Sequence, residues 1–223
     1  MADSASTQKV SNPVFARLYS RVLARNEPAE MRARRDELLA GLHGRVVEVG
    51  AGSGANFPHY PPTVTEVVAV EPEPYMRAQA VEAAPKAPVK VTVVDGLADA
   101  LPLEDASCDA AVACLVLCSV PDQATALAEL RRTLKPDGEL RYFEHVLATG
   151  SRVAGVQRFV DRVFWPRAFG GCHTARDTSA AIAAAGFDVT AEERFKVGTF
   201  TVPPPVAFQV LGRARRTPGP DAV

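Results

Sequence analysis

The sequence predicts an α/β fold, one domain built on a mainly parallel, seven-stranded sheet with helices on both faces. Three observations predict it. Short β-branched runs alternate with helical segments, as expected for strands buried on both faces and joined by crossovers. The first of these runs stops at a turn with three alternating glycines, Gly50-Ala51-Gly52-Ser53-Gly54. The chain has 223 residues, a length that suits a single buried sheet.

Residues 1–44 read as an N-terminal helical segment of the same domain. Asn12-Pro13 is a helix start, and Phe15, Leu18, Tyr19, Val22 and Leu23 then recur at helical spacing. A second helix is expected from Pro28 to Leu42, with Met31, Leu38, Leu39 and Leu42 inward and Gly44 ending it. The core spans residues 45–213. Its strand candidates are Val46–Val49, Val67–Val70, Val89–Val94, Asp109–Val116 and Glu139–Phe143, and its helix candidates Tyr75–Ala84, Gln123–Leu134 and Thr178–Ala185. Phe187–Val189 and Phe208–Gly212 add two strands around a loop with Pro203, Pro204 and Pro205, which fits a terminal antiparallel strand. Residues 214–223 read as a disordered tail. No internal repeat and no long linker divides the chain.

Basic and acidic side chains nearly balance, 25 against 26, for a net charge of -1. That balance argues against nucleic acid or an anionic membrane as partner. The polar segment Met1–Ser11 lacks the charged start and apolar core of a signal peptide. The longest apolar run, Ala110–Cys118, is too short to span a bilayer. A cytoplasmic protein with no integral membrane segment is expected, and nothing in the composition sets an oligomeric state. Of the four cysteines, Cys108, Cys114, Cys118 and Cys172, no pair has CxxC spacing. Neither a metal site nor a disulfide framework is expected. Cys108 and Cys114 read as small buried apolar residues, and Cys118 and Cys172 lie near loops.

The chemistry is concentrated at strand ends. Val46-Val47-Glu48-Val49 runs into the glycine turn and then Ala55-Asn56-Phe57. Such glycines let a ligand lie against the backbone, and a helix is expected just beyond, aiming N–H groups at the crevice. Val67-Val68-Ala69-Val70 ends in Glu71-Pro72, about 20 residues past the first glycine, where a carboxylate can hold both hydroxyls of a ribose. A dinucleotide turn needs G-x-G-x-x-G, and this chain has G-x-G-x-G. Glu48, just before the turn, would repel phosphates and suit an ammonium group. The pair of motifs therefore favours S-adenosylmethionine over a nicotinamide dinucleotide.

Glu48 to Asn56 resembles the first motif of the class I S-adenosylmethionine-dependent methyltransferases, the type 11 group, over about residues 12–212. The resemblance implies a Rossmann-like sheet and a cofactor site formed by Glu48, Gly50, Ala51, Gly52, Gly54, Asn56, Glu71 and Pro72. Asp95 to Leu103 resembles the segment that meets the adenine, with Gly96, Leu97 and Ala98 at the contact. Relatives often carry an acid where Leu97 stands, so backbone groups of Leu97 and Ala98 take that role here. Leu115 to Asp122 resembles the fourth-strand motif, which places Leu115 near the methionine moiety. Many relatives have a His-containing pair in place of Cys118 and Ser119. Leu130 to Leu140 looks like the helix, turn and fifth strand that follow. Gly54-Ala55-Asn56-Phe57, Cys114 to Val120, Glu144-His145-Val146 and Gly171-Cys172 are similar to the animal membrane-associated thiol methyltransferases. Those relatives begin with a hydrophobic anchor, whereas Met1–Ser11 is polar. The implied acceptor is a sulfur atom in a small molecule.

Methyl transfer is an in-line displacement for which the protein supplies orientation and a dry cavity. A thiol, with a pKa of about 8.5, needs little general-base help, and an alcohol needs much more. His145, after the fifth strand, is the candidate catalytic group, with Glu144 either orienting it or facing solvent. Cys172 and His173 are candidate lining of the acceptor pocket. His59 and Tyr60, in the helix after the glycine turn, are expected to be exposed or packed. Val156 to Phe169, rich in aromatics, is either a packed face or a substrate lid that forms an apolar pocket with Phe15 and Tyr19. Oxygen, nitrogen or carbon acceptors, including quinone-like lipids, remain alternatives. So do a nicotinamide-dependent oxidoreductase and a non-catalytic S-adenosylmethionine-binding protein.

Overall fold

The computed structural model describes residues 16–17, 27–198 and 204–217. Helix α1 (Ala29–Leu39) leads into β1 (Gly44–Val49), β2 (Val64–Val70), α2 (Pro74–Ala83), β3 (Val91–Val94), β4 (Cys108–Cys114), α3 (Gln123–Thr133) and β5 (Leu134–His145). Helices α4 (Ser151–Val163), α5 (Trp165–Ala168) and α6 (Thr178–Ala184) follow, then β6 (Phe187–Lys196) and β7 (Phe208–Arg216). The seven strands form one sheet in the order β3-β2-β1-β4-β5-β7-β6. The pairings among β1 to β5 are all parallel. Only β7 reverses, running antiparallel to β5 on one side and β6 on the other.

Alternation along the strands divides the interior into two cores. Val47, Val49, Ala111 and Tyr142 pack with Leu127, Leu130 and Ile182, under α3 and α6. Val46, Val67, Ala110, Val112 and Phe143 pack with Leu38 and Leu39, under α1. Glu48, two residues beyond Val46, therefore points toward the α1 face. At the rim of that face the Arg34 guanidinium lies 3.9 Å from the centre of the Phe195 ring and pairs with Glu193 at 3.0 Å, which ties α1 to β6.

Several expectations need correction. No α-helix follows the glycine turn: only a single 3₁₀ turn, Phe57–His59, is present. Pro58, Pro61 and Pro62 explain this, because each lacks the N–H that a continuing helix needs and restricts the residue before it. Strand β4 stops at Cys114, short of Val116, because Leu115 adopts a left-handed conformation with φ 57°. Helix α1 ends at Leu39, and Leu42 is buried in the loop beyond it. Strands β6 and β7 are much longer than their apolar cores. Residues 214–216, read as disordered tail, extend β7: Ala214 pairs with Leu140 and Val189, Arg215 with Glu139 and Asp188, and Arg216 with Phe187. Thr217 then donates its N–H to the Gly186 carbonyl at 3.1 Å. Residues 218–223 lie outside the described residues. So does most of the first predicted helix, of which Ala16 and Arg17 are described and helical.

Candidate active site

Sheet order reverses at β1, which has β2 on one side and β4 on the other. A crevice at the carboxyl ends of such strands is where open α/β sheets bind ligands. Here it is a cavity of about 690 Å³. Gly50 (φ 63°) makes the bend into it, and a Cβ there would fall 2.3 Å from a Val116 methyl, so no other residue fits. Gly50 and Ala51 donate their N–H groups to the Val70 carbonyl, at 2.8 and 3.2 Å. Gly52 donates instead to the Glu71 carboxylate, at 2.8 Å. The other Glu71 oxygen accepts from the Glu73 N–H at 2.9 Å. Burial pushes the Glu71 carboxyl up in pKa, and these two donors pull against it. Four of the turn's donors are thus engaged within the protein, two on the Val70 carbonyl, one on the Ala51 carbonyl and one on the Glu71 carboxylate, and these four are not free to cradle a phosphate.

Glu48 is 2% exposed. It accepts from the Asn56 amide and from the Tyr60 hydroxyl, both at 2.8 Å. Behind it, Arg35 donates to the Asn56 carbonyl oxygen at 2.6 Å and to Glu27 at 2.8 Å. Burial raises the Glu48 pKa to about 7, against the pull of Tyr60, Asn56 and the Arg35 charge. Arg35 and Glu48 both line the cavity, so a positive and a negative group stand on one wall.

Another part of the lining, Val116 and Cys118, is held in place by Glu144. This carboxylate is fully buried, so it does not face solvent as one reading had it. It accepts the N–H groups of Val116, Leu117 and Cys118 at 3.0, 2.8 and 3.0 Å, and so shapes the loop after β4. Burial drives its pKa well up while those donors oppose the shift. The loop is joined to the Gly170-Gly171-Cys172 turn: His173 donates its N–H to the Cys118 carbonyl at 2.7 Å. The Sγ atoms of Cys118 and Cys172 each lie 3.5 Å from His145 Nδ1 and 3.7 Å from each other. The neighbouring Cys172 and burial push the Cys118 thiol up to about 12. Burial pulls His145 down, and its contacts with Cys118 more than reverse this, leaving it raised.

Of the residues expected at the site, Glu48, Gly50, Ala51, Gly52, Asn56, Glu71, Pro72, Gly96, Leu97, Ala98, Leu115 and His145 all line the cavity. Gly54 does not. It has φ 83° and its missing Cβ makes room for the Phe57 ring, 2.5 Å away, so its role is to close the turn. Cys172 lines the cavity, but His173 faces Asp161, 3.6 Å away, and is no part of it. His59 pairs with Asp36. The packed-face reading of Val156 to Phe169 is overturned. Val156, Phe159, Val163, Phe164 and Phe169 are exposed, while Trp165 and Phe169, stacked at 4.1 Å, border the cavity. Phe15 and Tyr19 lie outside the described residues.

Sequence reasoning missed Arg35, Tyr60, Met76, Cys114 and Asp99. Arg35 could have been found: it stands three and four residues before Leu38 and Leu39, on the buried stripe of α1. Asp99, an acidic residue two positions after Leu97, also lines the cavity.

Comparisons with known proteins show the family of the chain. A family model described as a methyltransferase domain matches residues 47–142. The chain is 31% identical to thiol S-methyltransferase TMT1B of Homo sapiens over 203 residues, covering 86% of this chain and 80% of that one. It is 32% identical to the ubiquinone/menaquinone biosynthesis C-methyltransferase UbiE of Syntrophotalea carbinolica over 142 residues, 60% of this chain and 57% of that one. A crystal structure of a methyltransferase of Bacillus halodurans superposes with a TM-score of 0.68 at 16% identity, covering 83% and 98% of the two chains. That last likeness concerns the fold.

Proposed function

The chain belongs to the S-adenosylmethionine-dependent methyltransferases, and we propose that its acceptor is the sulfur of a small apolar thiol. The residues present suit this cofactor. Glu71, fixed by two backbone N–H groups, keeps lone pairs for the ribose hydroxyls. Glu48 and Arg35 complement the ammonium and carboxylate of the amino-acid end. Asp99 and the backbone of Leu97 and Ala98 are placed for the adenine, with Met76 as an apolar neighbour. The cofactor supplies an activated methyl group when bound. The protein's own work is to hold that group's carrier, exclude water and present the nucleophile.

One observation carries the choice of acceptor. Besides the residues assigned to the cofactor, the cavity is lined by Cys118, Cys172, His145, Trp165 and Phe169, soft and apolar groups around a single imidazole. Glu144 is committed to three backbone donors, and Asp122 caps α3 through Ala124. Such a wall gives little help to an alcohol but suffices for a thiol, whose proton is already labile near neutral pH. The 31% identity to a thiol S-methyltransferase supports the same reading.

The test is a matched panel of nucleophiles of one carbon skeleton, thiol, alcohol and amine, together with a quinol. The thiol is expected to show kcat/KM at least about tenfold above the alcohol. A quinol or phenol turned over faster than the thiol would sink the sulfur reading. It would favour carbon or oxygen transfer, which the apolar cavity and the likeness to a quinone-pathway C-methyltransferase also accommodate.

A further inference from the structure

Cys118, His145 and Cys172 come from the loop after β4, the end of β5 and the turn before α6, yet their donor atoms all lie within 4.8 Å of one another. The three separations have a shape. A zinc ion bound tetrahedrally at ordinary Zn–S and Zn–N lengths sets its sulfurs about 3.8 Å apart and each sulfur about 3.5 Å from the nitrogen. The observed edges are 3.7 Å between sulfurs and 3.5 Å from each sulfur to Nδ1. These atoms thus form one face of a zinc tetrahedron. A thiol pair serving only as core packing has no need of an imidazole equidistant from both sulfurs.

We propose that Cys118, Cys172 and His145 hold a zinc ion whose fourth position opens into the cavity and takes the acceptor thiol as a thiolate. All three ligands line the same cavity as Glu48 and Glu71. Three protein ligands with one open position is the arrangement of catalytic rather than structural zinc. Soft thiolates also select zinc over hard cations. The supporting groups are already in place. The Cys118 N–H is held by Glu144 and its carbonyl by the His173 N–H. Arg176 is anchored on the carbonyls of Leu117 and Val120 at 2.8 and 2.7 Å, beside the loop that carries Cys118. Two thiolates neutralise the dication, and Arg176 offsets the charge of a third sulfur.

The step balances. The entering thiol displaces water from the open position and gives its proton to solvent. Its sulfur lone pair forms the new C–S bond at the methyl carbon. The sulfonium C–S bond breaks, and its electron pair stays on the departing sulfur. The thioether product carries no charge, is a weak ligand, and is replaced by the next thiol. This part of the proposal rests on the thiol reading above, whereas the ligand triad does not.

The experiment uses the full chain, purified under reductant, stripped of metal and titrated with Zn²⁺ and with Co²⁺. The expected result is one metal per chain, with thiolate-to-cobalt charge transfer and d–d bands of tetrahedral intensity that change when an alkanethiol is added. Cys118→Ser and Cys172→Ser should each weaken zinc binding by at least about 100-fold. Bound S-adenosylmethionine reports that each variant is folded. Zinc restored to the stripped enzyme should restore thiol methylation. Failure to bind stoichiometric zinc, unchanged affinity in both variants, or full thiol methylation without metal would overturn the proposal. Normal zinc binding with tetrahedral cobalt bands, but no thiol methylated and no spectral response to thiol, would instead discard the sulfur acceptor and leave the triad standing.

Discussion

Glu48 shows at the scale of one residue how a binding group is kept at a cost in stability. Its ordinary carboxyl would ionise in the unfolded chain near 4.5, but burial holds it to about 7 in the fold. The folded state therefore binds the extra proton between those values. Stability falls as pH rises from about 4.5 to about 7 and stays at the lower level above. Glu48→Gln keeps an acceptor for the Asn56 amide, sets its new NH₂ against the Tyr60 hydroxyl, which then accepts in place of donating, and removes the buried charge. It is expected to raise unfolding free energy at pH 8 by roughly 2–4 kcal/mol, read by urea denaturation, and to weaken S-adenosylmethionine binding at least about tenfold. In the unaltered protein, affinity for the cofactor should fall as pH drops below about 7, by up to about tenfold per unit. Calorimetric titration from pH 5.5 to 8 measures it. An affinity flat across that range would mean that Glu48 does not meet the ammonium group.

At the scale of elements, the loop after β4 is held by one side chain of β5. Glu144 gathers three consecutive N–H groups, and Leu115 pays for the approach with a left-handed φ of 57°. Glu144→Gln sets an amide NH₂ against at least one of those donors. The loss is expected to be about 1–3 kcal/mol in stability, with faster hydrogen exchange at the amides of residues 116–118. Unchanged exchange there would show that the loop holds its own shape. The sequence disclosed the glycine turn, the acidic end of β2 and the order of strands and helices, because each is a local pattern of spacing. The break after Gly54 is also written locally, in Pro58, Pro61 and Pro62, whose missing N–H groups limit the segment to one 3₁₀ turn against the helix that a glycine turn otherwise precedes. The long edges of β6 and β7 were hidden. Their C-terminal halves, Glu192 to Lys196 and Arg213 to Arg216, are largely charged, and the backbone ladder pairs each with the more apolar half of the other strand, Phe208 to Gly212 and Phe187 to Ala191. His145 and Cys172 were legible as candidates for the acceptor side of the site, but their convergence with Cys118 was not, because the three lie on separate elements and meet only when β4 and β5 pair and the turn before α6 folds back.

At the scale of the molecule, the cavity draws on almost the whole described chain, from Ala16 ahead of α1 to Val206 just before β7. No substructure smaller than the sheet and its flanking helices carries a complete site. Ligand binding must then be linked to global unfolding and not to the opening of one segment. S-adenosylmethionine at about 100 times its Kd should add about 2.7 kcal/mol. For a chain of this length that corresponds to a rise in Tm of roughly 5–11 °C. Glu71→Ala removes the carboxylate placed for the ribose and leaves the Gly52 and Glu73 N–H groups without it. That variant should lose most of the ligand-induced rise at the same cofactor concentration and also start from a lower Tm. Scanning calorimetry with and without ligand, at several concentrations, separates the two effects. A logarithmic dependence of Tm on ligand concentration in the unaltered protein, displaced to higher concentration in Glu71→Ala, is the linked behaviour expected. A fixed Tm with only a local gain in hydrogen-exchange protection near Gly50 to Gly54 would mean that the site forms and dissolves independently of the sheet, against the way its walls are drawn from both ends of the chain.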